Sequence, residues 1–238
     1  MSEVVSYSMS NDIAVVTIAS PPVNAVDQRV RAGLKKVFGE LRERPEVHAI
    51  VLGCAGKTFV AGADIKEFDS GIAEPGYHEF LRLIEDSKVP VIAAVHGTAL
   101  GAGTEIALAC HYRVAQEGAR FGLPELSLGI IPGAGGTQRL PRVVPLETAI
   151  DMMLSGKPLA SAAAPVIGAG RQGRRRRRDR RRAGLCASAA RRRCRRSPHA
   201  RTAGAGRRKG GGIARRETHP GRPDDEEPPL SAGAHRSR

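Results

Sequence analysis

The sequence predicts an α/β domain with strands joined by helical crossovers, followed by a tail of different composition. Three observations predict this. Apolar, often β-branched runs recur at residues 13–19, 48–52, 91–95 and 112–115. The segments between the first three runs carry apolar residues at helical spacing. The chain also changes its charge and its residue usage near residue 165. Strands alternating with helices build sheets through repeated crossovers. Runs that are apolar throughout, rather than alternating, belong to strands buried on both faces.

Residues 13–19 (IAVVTIA) read as a buried strand. Pro21 and Pro22 stop it, because proline lacks the N–H a central strand needs. In residues 27–44, Val30, Leu34, Val37, Phe38 and Leu41 share one helical face, with Lys and Arg opposite. Asp27 stands at the N-cap of that helix. Residues 48–52 (HAIVL) form a second strand and residues 53–64 a Gly/Ala-rich loop. Residues 77–87 form a helix with Phe80, Leu81 and Ile84 inward. Residues 91–95 (VIAAV) are a third strand, residues 96–103 a small-residue turn and residues 104–110 a short apolar helix. Residues 112–115 are a fourth strand. Residues 145–155 are an amphipathic helix closed by Gly156.

The chain has 238 residues and a net charge of +14. Residues 166–238 carry 23 Lys and Arg against 6 Asp and Glu, whereas residues 1–165 carry 15 against 18. All eight Phe and Tyr residues lie at or before Phe121. The basic character therefore belongs to the tail, and residues 1–165 have the balance of an ordinary globular domain. Cys54, Cys110, Cys186 and Cys194 are not at metal-ligand spacing and suggest no disulfide framework, which fits a reducing, cytoplasmic setting. The first residues do not read as a signal peptide, and no apolar run is long enough to span a membrane.

Two glutamates stand out. Glu105 follows Gly101, Ala102, Gly103 and Thr104 at the start of the apolar helix, and Glu125 follows Pro124 in a loop. Taken singly, the first is a helix N-terminal charge and the second a solvated carboxylate. Paired carboxylates in a partly apolar pocket do acid–base work, because burial and mutual repulsion separate their pKa values. Gly97, Gly101 and Gly103 let a ligand approach the backbone closely, and the following helix N-terminus favours developing negative charge. Ala61, Gly62, Ala63 and Asp64 offer a second small-residue loop with a further N–H. Such an arrangement builds an oxyanion site.

Residues 1–165 resemble the crotonase (enoyl-CoA hydratase/isomerase) family throughout. The matching pieces are residues 20–25 (SPPVNA), Phe59 with residues 61–65 (AGADI), Pro90 with residues 91–97 (VIAAVHG), residues 101–110 (GAGTEIALAC) and residues 129–140 (GIIPGAGGTQRL), in order and spacing. Residues 109–115 (ACHYRVA) are most similar to the hydratase part of bifunctional β-oxidation proteins, which carry a 3-hydroxyacyl-CoA dehydrogenase after it. The resemblance implies a spiral of ββα units, a homotrimer and an enoyl-CoA hydratase of fatty acid β-oxidation. Glu105 and Glu125 would hold one water between them, one acting as base as it adds to the β-carbon of a trans-2-enoyl-CoA. The thioester oxygen would sit between the N–H groups of Ala63 and Ala102. The family most often has Gly where Ala102 stands; the donor survives, but a Cβ would face the site if φ were positive. Val23, Asn24, Ala25, Ala61, Gly62, Asp64, Ile65, Gly101, Pro132 and Gly133 would contact the substrate or its CoA part. No metal and no cofactor is expected, since coenzyme A is part of the substrate. Having both glutamates favours hydratase over Δ3-Δ2-enoyl-CoA isomerase.

The resemblance ends near Pro165. Family domains continue with helices that close the acyl pocket and build the trimer. Here arginine runs at residues 174–178, 180–182, 191–193 and 195–196 are set among Gly and Ala. That composition is what GC-rich coding DNA yields out of frame. The tail, residues 166–238, is expected to be disordered and a frameshifted or truncated continuation, leaving the fold incomplete at its C-terminal end. An inactive truncated fragment is one alternative. The non-enzymatic alternative is nonspecific, salt-sensitive nucleic-acid binding through the arginines, with no specific nucleic acid and no membrane as partner.

Overall fold

The computed structural model describes residues 3–161. The basic tail, its expected disorder and the expected lack of closing helices lie outside the described residues, as do Cys186 and Cys194. Strands β1 (Val5–Ser10) and β2 (Ile13–Ile18) form an antiparallel hairpin. Its turn contains Asn11 at φ 55°, a conformation that Asn tolerates better than most residues. Helix α1 (Gln28–Arg42) follows, and the Asp27 side chain accepts from the Val30 N–H as its N-cap. Strand β3 (Ala49–Cys54) then pairs parallel with β2. Helices α2 (Glu67–Ser70) and α3 (Tyr77–Glu85) lead to strand β4 (Val91–Val95), parallel to β3. Strand β5 (Thr98–Leu100) interrupts the segment expected to be a plain turn. Helix α4 (Ala102–Ala109) connects to strand β6 (Tyr112–Ala115), parallel to β4. Strand β7 (Arg120–Gly122), a 3-10 helix (Glu125–Leu128), helix α5 (Gly136–Arg139), helix α6 (Leu146–Ser155) and strand β8 (Leu159–Ala160) complete the described chain.

The first sheet has the order β1-β2-β3-β4-β6, and the second the order β5-β7-β8. Every residue of β3 and β4 is buried, as expected of strands covered on both faces, while β2 alternates. One face joins the apolar sides of α1 and α3 in the main core. On the other face Ala49, Val51, Ile92 and Ala94 form a second, smaller cluster.

Successive turns of the chain repeat one pattern: a first-sheet strand, a short extended stretch in a second layer, then a helix. The series runs β3, Val60, α3; then β4, β5, α4; then β6, β7 and the 3-10 helix. Parallel bridges Val26–Ala63 and Val60–Ala99 and the parallel pairing of β5 with β7 set the short stretches side by side. This is the spiral of ββα units implied by the resemblance. Its consequence is geometric: the residues just after each short stretch come together at one end of the second layer.

Candidate active site

Three such turns meet at one cavity of about 460 Å³. Ala61, Gly62, Ala63 and Ile65 line it from the first turn, Gly101, Ala102 and Glu105 from the second, and Glu125 from the third, with Gly133 beyond them. Gly101 has φ 50°, and a Cβ there would lie 3.3 Å from Glu125 Oε1. Gly103 has no room for a Cβ against the Val60 carbonyl and side chain, so only glycine lets α4 settle on the second layer. Thr104 is fully buried beneath the helix; its Oγ1 lies 2.8 Å from both Ala99 O and Gly122 O and accepts from the Gly122 N–H at 3.2 Å. It ties β5 to β7 directly under the site.

The two glutamates are both buried and differently held. Glu105 is 2 % exposed, and its Oε1 accepts from the N–H groups of Ala134 at 2.9 Å and Gly136 at 2.7 Å. Burial pushes its pKa up; the two N–H bonds and the nearby Arg139 guanidinium act against that rise because they favour the charged form. Glu125 is 9 % exposed, and its Oε2 has no hydrogen-bond partner among the described residues. Burial pushes its pKa up to about 7, its own backbone N–H lowers it, and the charge of Glu105 raises it further. Glu105 thus has two N–H donors and a nearby cation favouring its charged form, whereas little offsets the burial of Glu125.

The amides of the small-residue loops differ in use. The Ala61 N–H bonds to Val23 O and the Asp64 N–H to Val26 O. Among the described residues, neither the Ala63 nor the Ala102 N–H donates to a backbone carbonyl. Ala102 opens α4, where first-turn amides have no intrahelical acceptor. The positive φ falls at Gly101 and not at Ala102, so the extra Cβ costs no backbone strain.

Val23, Asn24, Ala25, Asp64 and Pro132 do not line the cavity. Asn24 is spent on structure at φ 55°: Oδ1 accepts from the Ser20 N–H, and Nδ2 donates to the carbonyls of Ala55, Thr58 and Phe59. Pro132 is buried, and Asp64 Oδ1 accepts from the Lys66 N–H. Conversely, the sequence reading missed the apolar wall formed by Phe68, Ile72, Leu128, Ile130 and Ile131, with Tyr77 and His78 beside it. It also missed what holds part of that wall. Arg31 is fully buried on α1, donating to Pro75 O, Ala73 O and Glu67 Oε2, with the Tyr77 ring 5.0 Å from its guanidinium.

The family model described as enoyl-CoA hydratase/isomerase matches residues 8–169. The chain belongs to the enoyl-CoA hydratase/isomerase family. A probable enoyl-CoA hydratase from Bacillus subtilis is 42% identical, covering 67% of this chain and 65% of that protein. The peroxisomal bifunctional enzyme of Danio rerio is 41% identical, over 67% of this chain but 22% of its own length. The solved enoyl-CoA hydratase from Bacillus anthracis shares the fold with a TM-score of 0.65 at 29% identity, covering 79% of this chain and 76% of that one. The chain thus spans less than two thirds of the curated relatives it matches here. Family members share the two-layer spiral, and here it brings Glu105, Glu125 and the free loop amides to one cavity.

Proposed function

We propose that this chain is an enoyl-CoA hydratase, adding water to a trans-2-enoyl-CoA in fatty acid β-oxidation. The observation that carries the reading is the unequal glutamate pair at one cavity. Ionised Glu105 takes a proton from the water as its oxygen bonds to the β-carbon. Protonated Glu125 delivers a proton to the α-carbon, and negative charge developing on the thioester oxygen is met by the N–H groups of Ala63 and Ala102. Each such donor is worth about 3 kcal/mol of barrier in comparable sites. The acyl chain lies against the apolar wall, and the CoA part runs over the loops at residues 22–26 and 61–65. The proposal uses no resident metal or redox cofactor.

A cytoplasmic location and self-association are part of the same proposal. Leu146, Ile150 and Leu154, spaced four apart on α6 and 55%, 44% and 65% exposed, support assembly because such a stripe marks a contact surface. Among the described residues no helix is long and apolar enough to cross a membrane.

Hydration of crotonyl-CoA, followed by loss of its thioester absorbance, tests the reading. Glu105→Gln and Glu125→Gln are each expected to lower kcat by about 10²–10⁴-fold. An active parent chain indifferent to both substitutions contradicts the site, and an inactive parent chain contradicts the function.

A further inference from the structure

Arg139 does not line the cavity, yet it is bonded to the turn that holds Glu105. Its Nε and Nη2 each donate to one oxygen of Glu85 at 2.9 Å. A bidentate pair of this kind fixes the plane of the guanidinium as well as its position. The third nitrogen, Nη1, donates to Ala134 O at 2.7 Å. Ala134 turns its own N–H the other way, to Glu105 Oε1. Between Ala134 and Gly136, Gly135 takes φ 96°, and a Cβ there would collide with the Arg139 guanidinium. The turn is therefore wrapped on the guanidinium, which fills the space a side chain at position 135 would take.

Glu85 is itself anchored. Its backbone carbonyl accepts from His111 Nε2 at 2.9 Å, while His111 Nδ1 accepts from the Val91 N–H at 2.9 Å. Those two partners fix the imidazole with its proton on Nε2. A continuous series of bonds thus runs from β4 through His111, Glu85, Arg139 and Ala134 to Glu105, crossing α3, α5 and α4.

We propose that Arg139 is a positioning residue for Glu105. Through the turn at residues 134–136 it holds the two N–H groups on Glu105 Oε1 and keeps that carboxylate aimed at the cavity. The inference rests on the reading of Glu105 as base. The charged and titratable groups around Glu105 are Glu125 from the 3-10 helix, Tyr77 from α3 and Arg139 from α5, with Glu74 and His78 also on the cavity wall. Among the described residues, the Arg139 charge acts against the effect of burial on Glu105.

The test uses the full chain with Arg139→Gln, Arg139→Lys and Glu85→Gln. The first readout is the carboxyl 13C titration of Glu105, assigned by its loss in Glu105→Gln. Arg139→Gln is expected to move the midpoint upward, and Arg139→Lys to restore part of the shift. Glu85→Gln, which leaves the bond to Ala134 but frees the guanidinium, gives a smaller upward move and serves if Arg139→Gln does not fold. The second readout is crotonyl-CoA hydration, with kcat in Arg139→Gln lower by about 100-fold and KM little changed, as for a group acting only in the transition state. An unchanged Glu105 midpoint in the folded variants overturns the proposal whether or not the parent chain hydrates enoyl-CoA. A raised KM with unchanged kcat also overturns it. A shifted midpoint in a parent chain that lacks hydration upholds the positioning role and overturns the functional reading instead.

Discussion

The two sides of the cavity are built differently. On the Glu105 side the carboxylate stands on α4, bonded by two peptide N–H groups in a turn that an Arg–Glu pair holds from behind. On the Glu125 side the carboxyl stands on a short 3-10 helix with one oxygen unpartnered among the described residues. The residues that follow it, Leu128, Ile130 and Ile131, are apolar and exposed. Both groups are buried, so burial alone does not separate them. The difference lies in hydrogen bonds to the charged form, present for Glu105 and scarce for Glu125. Under the proposed function, one residue type would serve as base on one side and as proton donor on the other.

The comparison can be broken from either side. Short of replacing a carboxyl, the largest expected effect comes from removing the proposed oxyanion donor at Ala102. Proline is tolerated at the first position of a helix, so Ala102→Pro deletes one N–H and leaves α4 standing. It should lower kcat for crotonyl-CoA by about 10²–10³-fold. A loss below about threefold would show that the Ala102 amide does not meet developing charge.

A smaller effect is expected in stability. The folded-state pKa of Glu125 lies above its ordinary value of 4.5, at about 7. A carboxyl shifted that way contributes stability that is whole below about pH 4.5 and lost as pH rises through about 7. Glu125→Gln cannot ionise, so it should be more stable than the parent at pH 8 by about 1–2 kcal/mol after solvent screening is allowed for. The gain should vanish near pH 4.5, and denaturant melts at the two pH values would show it. A Glu125→Gln chain less stable than its parent at pH 8 would mean that the buried carboxyl is already well solvated. Gain of stability with loss of activity is the usual mark of a group kept for function.

The sequence reading reached α1, α3, α4 and α6 through apolar spacing, and β2, β3, β4 and β6 through apolar runs. It missed β1, whose Ser-Tyr-Ser-Met-Ser stretch carries little apolar signal at an edge. It missed β5 and β7 because three residues are too few to show a period. Both glutamates and the small-residue loops were legible through the family resemblance, since each taken singly reads as an ordinary charge or turn. The supports were not. Arg31 binds carbonyls 42 and 44 residues away, and Arg139 binds a carboxylate 54 residues away. An arginine in such a place looks like surface charge until the fold closes around it. The structural use of the Asn24 side chain was hidden for the same reason, since the carbonyls that its Nδ2 binds lie 31 to 35 residues along the chain.

The most direct measurement is the carboxyl 13C titration of Glu105 and Glu125 in the parent chain, each assigned by its Gln substitution. The account predicts that Glu105 loses its proton first and that Glu125 titrates last, with a midpoint near 7. A Glu105 that titrates after Glu125 would contradict it, because the base and the proton donor would then be exchanged.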